Sequence, residues 1–383
     1  MSLYLALKEL WRNKGRFLLF SMVIALITTL VLFIAALAGG LADANKQLIE
    51  KLDAELLVYQ EDVDLQTTSS RLGQAALKNI RRVEGVKDAG PLGLANTTIV
   101  FADGREAVDV SLIGVEPGKP GNPELFSGEP PRSKREDKVV IDDQLAKAQG
   151  IQLGDTLTIK SIQGTEEEIF ELEVTGITDK RQYFFQPALF VPLDTWDRVR
   201  PQPTTPGRGE AIFNLIAVQL QDPAQSESMV QRLTQQVDGI EVANKRAAIL
   251  ALPGYTAQQS TLNTQQVFTL LIGVLVVGGF FQIQTMQKVA QIGMLKAIGS
   301  TNRTVAGAAL LQIIAVTVIG VTLGTLGTLA LAMSLPAGIP ILFTGSSVIG
   351  AIAALLLIGP LGGLVSVRMA LKIDPLTAIG LSS

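Results

Sequence analysis

The chain has 383 residues, 48% of them apolar and 17% charged, with a mean hydropathy of +0.35 and a net charge of −3 from 32 basic and 35 acidic residues. It holds no histidine and no cysteine, which excludes a Ser-His-Asp or Cys-His nucleophile, the usual zinc sites, a phospho-accepting histidine and any disulfide framework. The charges are too unevenly placed for one soluble domain: 17–41, 247–287 and 305–367 contain no Asp, Glu, Lys or Arg, and the composition reads as a membrane protein.

The first element, over 1–16, is an amphipathic helix with Leu3, Leu7 and Leu10 on one side and Lys8, Arg12 and Arg16 elsewhere. It suits the membrane interface, with Trp11 as an anchor among headgroups. The run FLLFSMVIALITTLVLFIAALAGGL, Phe17 to Leu41, follows; as a helix it is about 37 Å long, enough to cross a ~30 Å hydrocarbon core. A cleaved signal peptide is the alternative, but this apolar run is far longer than a usual signal core.

Residues 42–266 read as a large extracytoplasmic α+β domain with helical stalks. DANKQLIEKLDAELLVY has Asp43 as a cap and Leu48, Ile49, Leu52 and Leu56 at helical spacing, which extends the first span outward. A helix over 69–85, the strand-like runs TTIVF and AVDVSLIGV, and a turn-rich loop over 114–136 come next. Then VVIDDQLAKAQGIQLGDTLTIKS predicts a strand, a helix from Asp142 to Gly150, a Gly154-Asp155 turn and a further strand. EEIFELEVTGIT and PALFVPL continue the sheet, RPQPTTPGRGE breaks it, and FNLIAVQL, a helix over 224–237 and IEVANK complete a second unit. The pattern predicts two small α+β lobes, with 247–264 leading back to the membrane as a second stalk.

Three more spans follow, 267–286, 305–333 and 341–367, separated by a basic segment at 287–304 and an uncharged extracytoplasmic hairpin at 334–340, with a tail at 368–383. Lys8, Arg12, Lys14, Arg16, Lys288, Lys296, Arg303, Arg368 and Lys372 face only two acids, Glu9 and Asp374, in the tails and the basic segment. That leaves 23 basic and 33 acidic residues in 42–246, a charge of −10, which disfavours nucleic-acid binding. With four spans the basic segments share one side, so both termini and the 287–304 segment are expected in the cytoplasm of a multi-pass cell-membrane protein. In the third span Gly320 and Gly324 form a small-xxx-small motif for close helix approach, within the bundle or against a second copy. Gly359-Pro360 suggests a kink in the fourth.

No phosphate-binding Gly-x-x-x-x-Gly-Lys-Ser/Thr string occurs, since Pro120 follows Gly118-Lys119 in GVEPGKP. The chain is therefore read as a non-enzyme that binds no cofactor itself and draws on a separate ATP-hydrolysing subunit. On a helix, Val289, Ile292, Leu295 and Ile298 form an apolar stripe beside Lys288 and Lys296, and Gly299 closes it. A helix lying in the lipid interface is the alternative reading of that stripe.

Four spans with a large domain between the first two, and QKVAQIGMLKAIGSTNRTV between the second and third, resemble the permease superfamily that includes MacB, the lipoprotein-releasing permeases and FtsX. LYLALKELWRNKGRF, TMQKVAQIGMLKAIGSTN and VRMALKIDPLTAIG, with the Gln287-Lys288 pair and the Ile373 to Pro375 run, are similar to the heme-exporter permeases of the HrtB type. The resemblance implies a homodimer in the bilayer with an ATP-binding subunit that holds ATP and Mg. That subunit would dock on Lys288, Val289, Gln291, Ile292, Met294, Leu295, Lys296, Ile298 and Gly299. It also implies ATP-driven mechanical extrusion of an amphipathic cargo from the membrane, with heme first in line. Glu50, Glu55 and Tyr59 on the first stalk and Tyr255 on the second are the candidate cargo residues, an ordinary solvated or packed side chain being the alternative for each. Met22 reads as packing. The likeness also permits FtsX-like signalling to an extracytoplasmic partner, or MacB-like export of a peptide, lipid or drug.

Overall fold

The structure, a computed structural model, describes residues 8, 11–12, 14–183, 185–201, 212–335, 341–343 and 345–371. In chain order the elements are α1 (Lys14–Glu50), β1 (Leu56–Gln60), α2 (Gln74–Ile80), β2 (Val86–Val100), β3 (Val108–Val115), β4 (Leu125–Gly128), β5 (Lys138–Asp142) and α3 (Asp143–Gln149). There follow β6 (Thr156–Gln163), β7 (Glu166–Thr178), β8 (Gln182–Tyr183), β9 (Gln186–Pro192), α4 (Leu193–Val199), β10 (Leu215–Leu220), α5 (Ser226–Gln236), β11 (Ile240–Asn244) and α6 (Lys245–Leu250). The last four are α7 (Tyr255–Gln287), α8 (Val289–Ala297), α9 (Asn302–Ser334) and α10 (Gly345–Leu371). The chain divides into two compact units, 1–40 with 259–383, and 41–258.

The first unit contains the four helices long and apolar enough to cross a membrane, within α1, α7, α9 and α10. Phe17, Ile24, Val31, Leu32, Val277, Phe281, Ile313 and Val316 are among the buried side chains of its core. Lipid supplies little hydrophobic drive between helices, so their approach depends on small residues. A Cβ on Gly320 would sit 2.6 Å from Ile24 Cβ, and one on Gly324 would sit 2.5 Å from both the Ala25 carbonyl and Thr28 Cβ. The Gly320 and Gly324 motif is thus filled by α1 of the same chain, and Thr29 donates to the Gly324 carbonyl at 3.0 Å across that crossing. A Cβ on Gly278 would approach the Gly362 carbonyl to 2.9 Å, which brings α7 and α10 together in the same way. The helix assignment of α10 runs on through Pro360. At the amino end Lys8, Trp11 and Arg12 are helical and exposed, while Leu3, Leu7 and Leu10 lie outside the described residues.

The second unit is built on one eleven-stranded sheet with the path β11-β1-β10-β2-β3-β9-β5-β7-β4; β6 pairs with β2 and β7, and β8 with β9. Its strands join continuously, which corrects the expectation of two lobes. The long β2 makes the connection, pairing with β10 over Val86–Leu92 and with β3 over Leu92–Ile99. Side chains alternate between two cores: Leu56 and Val58 of β1 face one, Leu57 and Tyr59 the other. That double burial explains the unbroken apolar run Leu56 to Tyr59.

The same run shortens the expected first stalk, which continues the span only to Glu50. The helix stops at Glu50, Asp43 sits inside it rather than capping it, and 56–60 is a strand. Three hydrogen bonds fix the exit: Lys245 Nζ donates to the Glu50 carbonyl at 3.1 Å and to the Leu52 carbonyl at 2.6 Å, and Arg181 Nη1 donates to the Lys51 carbonyl at 3.0 Å. The second stalk is also interrupted, since α6 ends at Leu250 and Gly254, at φ +72°, precedes α7. The helix expected over 69–85 is shorter, Gln74–Ile80, and the loop over 114–136 contains β4. As expected, Asp142 caps α3 by accepting from the Gln144 and Leu145 N–H groups, and Gly150 ends it at φ +67°. The 200–210 breaker, the hairpin at 336–340 and the tail from 372 fall largely or wholly outside the described residues.

Candidate functional site

The segment between α7 and α9 is set by local chemistry at both ends. Lys288 leaves helical geometry at φ −108° and ψ 11°, which separates α8 from α7. At the other end Gly299 adopts φ +99°; its N–H donates to the Lys296 carbonyl at 3.0 Å, and the Ser300 N–H donates to the Leu295 carbonyl at 3.0 Å. These two bonds form a Schellman closure, which needs a residue that tolerates positive φ. Thr301 then caps α9, its hydroxyl accepting from the Thr304 N–H. The string IGSTNRT therefore ends one helix and begins the next within a few residues.

Within its own unit α8 is held by both lysines and by the preceding glutamine. Lys296 Nζ donates to the Leu371 carbonyl at 2.9 Å, Lys288 lies 5.6 Å from the Phe17 ring centroid, and the Arg16 guanidinium donates to the Gln287 side chain. Gly293 is buried.

The predicted stripe divides on this scaffold. Val289, Ile292 and Leu295 are half-buried against their own unit, whereas Ile298 is 87% exposed and Met294 50% exposed. Gln291 is exposed as well, and Gln291, Met294 and Ile298, spaced i, i+3 and i+7, share one helix face. The outward apolar surface is thus Met294 with Ile298, beside Gln291 and Gly299, rather than the full Val289 to Ile298 stripe.

The four candidate cargo residues are taken up by the fold in two pairs, the carboxylates around Lys245 and the tyrosines on one core. Tyr59 belongs to β1, not to a helix, and is fully buried in the core, where burial pushes its phenol well above the usual tyrosine range. Glu50 is paired with Lys46 at 2.9 Å, and Glu55 accepts the Leu220 N–H at 2.7 Å. Both carboxylates bear on Lys245, whose pKa is lowered by burial, against the raising influence of Glu55, Asp53 and Glu50. Tyr255 is half-buried at the start of α7, against the same core as Tyr59. The two carboxylates are therefore engaged by other groups, and the two tyrosines are packed on a core.

Sequence reasoning assigned no role to the buried polar residues of the helical unit, Gln284 at 5% exposure and Gln312 at 6%. The available signal was their position: amides inside segments otherwise free of charge, where a buried polar group needs a partner. Among the described residues no group of three or more acidic, His or Cys side chains could hold a metal ion.

A family model described as MacB-like periplasmic core domain matches residues 17–236, and one described as FtsX-like permease C-terminal matches 266–375. The chain is 28% identical to HrtB of Staphylococcus haemolyticus, a hemin transport system permease by name, over 98% of this chain and 99% of that one. It is 23% identical to an ABC transporter permease of Mycobacterium bovis over 99% of both chains. It is 28% identical to the macrolide export ATP-binding/permease protein MacB of Agrobacterium fabrum over 54% of this chain and 33% of that one.

Proposed function

The chain belongs to the family with the MacB-like periplasmic core domain, its carboxyl third is FtsX-like, and from that premise we propose that it is the permease subunit of an ABC exporter. The observation that carries the reading is the apolar face of α8. Gln291, Met294 and Ile298 stand exposed on a short helix that Gly299, Lys288 and Lys296 fix between two membrane helices. A separate ATP-hydrolysing subunit, carrying ATP and Mg, docks on that face from the cytoplasm; the basic residues of both tails and of the 287–304 segment support a cytoplasmic location for all three. Two copies of the chain work together in the bilayer. Closure of the ATPase displaces α8, and the displacement passes along the membrane helices, of which α1 continues to Glu50.

The cargo is an amphipathic molecule expelled from the membrane, and hemin is the first candidate because the relative from S. haemolyticus is named for its transport. The chain has no His or Cys to ligate iron, so apolar contact or oxygen donors would hold it. Of the cargo residues, Glu50, Glu55 and Tyr255 remain accessible enough to contribute; Tyr59 does not, being sealed in the core. The test is ATP-dependent removal of hemin from proteoliposomes holding this chain and its ATPase. Hemin-stimulated hydrolysis and hemin loss are expected. Hydrolysis unaffected by hemin, together with dependence on an outside hydrolase, would favour the signalling reading that the FtsX-like match also supports.

A further inference from the structure

The helical unit contains a cavity of about 500 Å³ at the base of α8, within the size range of small-molecule sites, roughly 300 to 1,000 Å³. Three cations, Lys8, Arg12 and Lys288, line it, and among the described residues no carboxylate does. Its wall is apolar where Phe281, Ile292 and Leu295 reach it. Its inner end is amide and hydroxyl: Gln284, Gln312 and Ser366 are each more than nine-tenths buried and line the same space. The Ser366 hydroxyl is already committed, bonding with Thr285 and donating to the Phe281 carbonyl at 2.8 Å. Gln284 differs. It is 5% exposed, lines the cavity, and its side-chain amide makes no hydrogen bond among the described residues.

Three cations with no carboxylate among the described lining residues favour an anion, a buried amide without a described partner favours a ligand with both oxygen acceptors and a hydroxyl, and an apolar wall favours a ligand with a tail. We infer that this cavity binds the headgroup of an anionic phospholipid from the leaflet on the side of the basic segments. Its phosphate would meet Lys8, Arg12 and Lys288, and its polar glycerol portion would meet Gln284. Such a lipid joins the amino-terminal segment to α8, so the leaflet's composition would help to set the position of the helix proposed to receive the ATPase stroke.

The test titrates phosphatidylglycerol into the full chain purified in neutral detergent with phosphatidylcholine, reading bound lipid by native mass spectrometry. At about one electrostatic increment per cation, Lys8→Gln with Arg12→Gln should weaken phosphatidylglycerol binding about thirtyfold and leave phosphatidylcholine unchanged. Gln284→Leu keeps every charge and should still weaken it several-fold, which decides the matter if the double variant fails to fold. Arg303→Gln with Arg368→Gln removes as much charge from exposed sites outside the cavity and should have little effect. Equal weakening in that control would show diffuse surface attraction and overturn the site. Displacement of the lipid by soluble glycerol phosphate at similar concentration would show a free-anion site and overturn the lipid assignment. Loss of hemin binding in the double variant with phosphatidylglycerol retained would also overturn it, by making the cavity a cargo site.

Discussion

Substituting Ile298 by Asp separates docking from folding, because this side chain is 87% exposed in the chain alone. Exposed substitutions usually change stability by no more than about 0.5 kcal/mol, and Gly299 still closes the helix, so the isolated permease should melt as the wild type does. Against a partner the sum differs. Nearly all of the isoleucine surface remains available for burial, and burying such a side chain is worth about 2 kcal/mol; its loss weakens assembly about thirtyfold. The introduced carboxylate adds a desolvation cost, so the effect of Ile298→Asp should exceed that of Ile298→Ala, for which about tenfold is expected. The assay titrates the ATPase subunit onto purified permease, reading complex formation and ATP hydrolysis together. Leu295→Asp is the contrasting variant: Leu295 is half-buried against its own unit, so it should lower the melting temperature of the permease itself. Wild-type assembly and hydrolysis with both Ile298→Asp and Met294→Asp would refute the assignment of this face, as would unfolding of the Ile298→Asp chain.

Gly324→Ala should destabilise the helical unit by about 2 kcal/mol, since the new methyl meets Thr28 and the Ala25 carbonyl. Gly279→Ala, with nothing within 4 Å of the added Cβ, should be neutral or slightly stabilising in the same detergent melt. Arg181→Met leaves the Lys51 carbonyl and Asp179 without their guanidinium partner at a position 3% exposed; urea unfolding of the full chain should show a loss of about 2 kcal/mol. Burial would raise the Glu116 carboxyl, but its bonds to Lys134 and Arg81 outweigh burial and hold it below its ordinary 4.5. Its contribution is therefore present above 4.5 and is lost as pH falls through the lower folded value, so Glu116→Gln should flatten the acid limb of a stability profile. Asp142 has the opposite sign: burial raises it above 3.8 despite bonds from the Arg181, Leu145 and Gln144 N–H groups, so the cost of keeping it ionised falls as pH drops.

The membrane helices were legible because three long blocks lack any charge, and a charge there is costly enough to leave a gap in the sequence. The short helix α3 was legible because Asp142 and Gly150 carry both of its caps. The strand β2 was legible only at its TTIVF end. Its other end holds Gly90, Pro91 and Gly93, where a Cβ on Gly90 would strike the Pro120 carbonyl and one on Gly93 would lie 2.5 Å from the Trp196 ring. Those glycines answer to neighbours about 30 and 100 residues away, which no local pattern displays. Tyr59 was misplaced for a related reason. The helical spacing of Leu48, Ile49 and Leu52 is real, and Leu56 continues it by coincidence after the helix has ended. For α8 the residues were visible, but how the helix is turned against its own unit, which half-buries Ile292 and Leu295 and leaves Ile298 outside, depends on tertiary contacts such as Lys296 with Leu371.

The clamped exit of α1 also bears on how the sheet unit takes up load. A tension delivered through Lys51–Glu55 and directed along β1 meets a strand paired on both sides, with β10 over Leu56–Val58 and with β11 over Leu56–Gln60. Ladder bonds run across the strand, so that tension loads them in shear, together, instead of peeling them one at a time. At the other end the chain passes into α7 through the Gly254 turn, where among the described residues no comparable pair of cationic side chains holds the carbonyls. Under force the two junctions should differ, the one beside β1 stiff and the one before Tyr255 compliant.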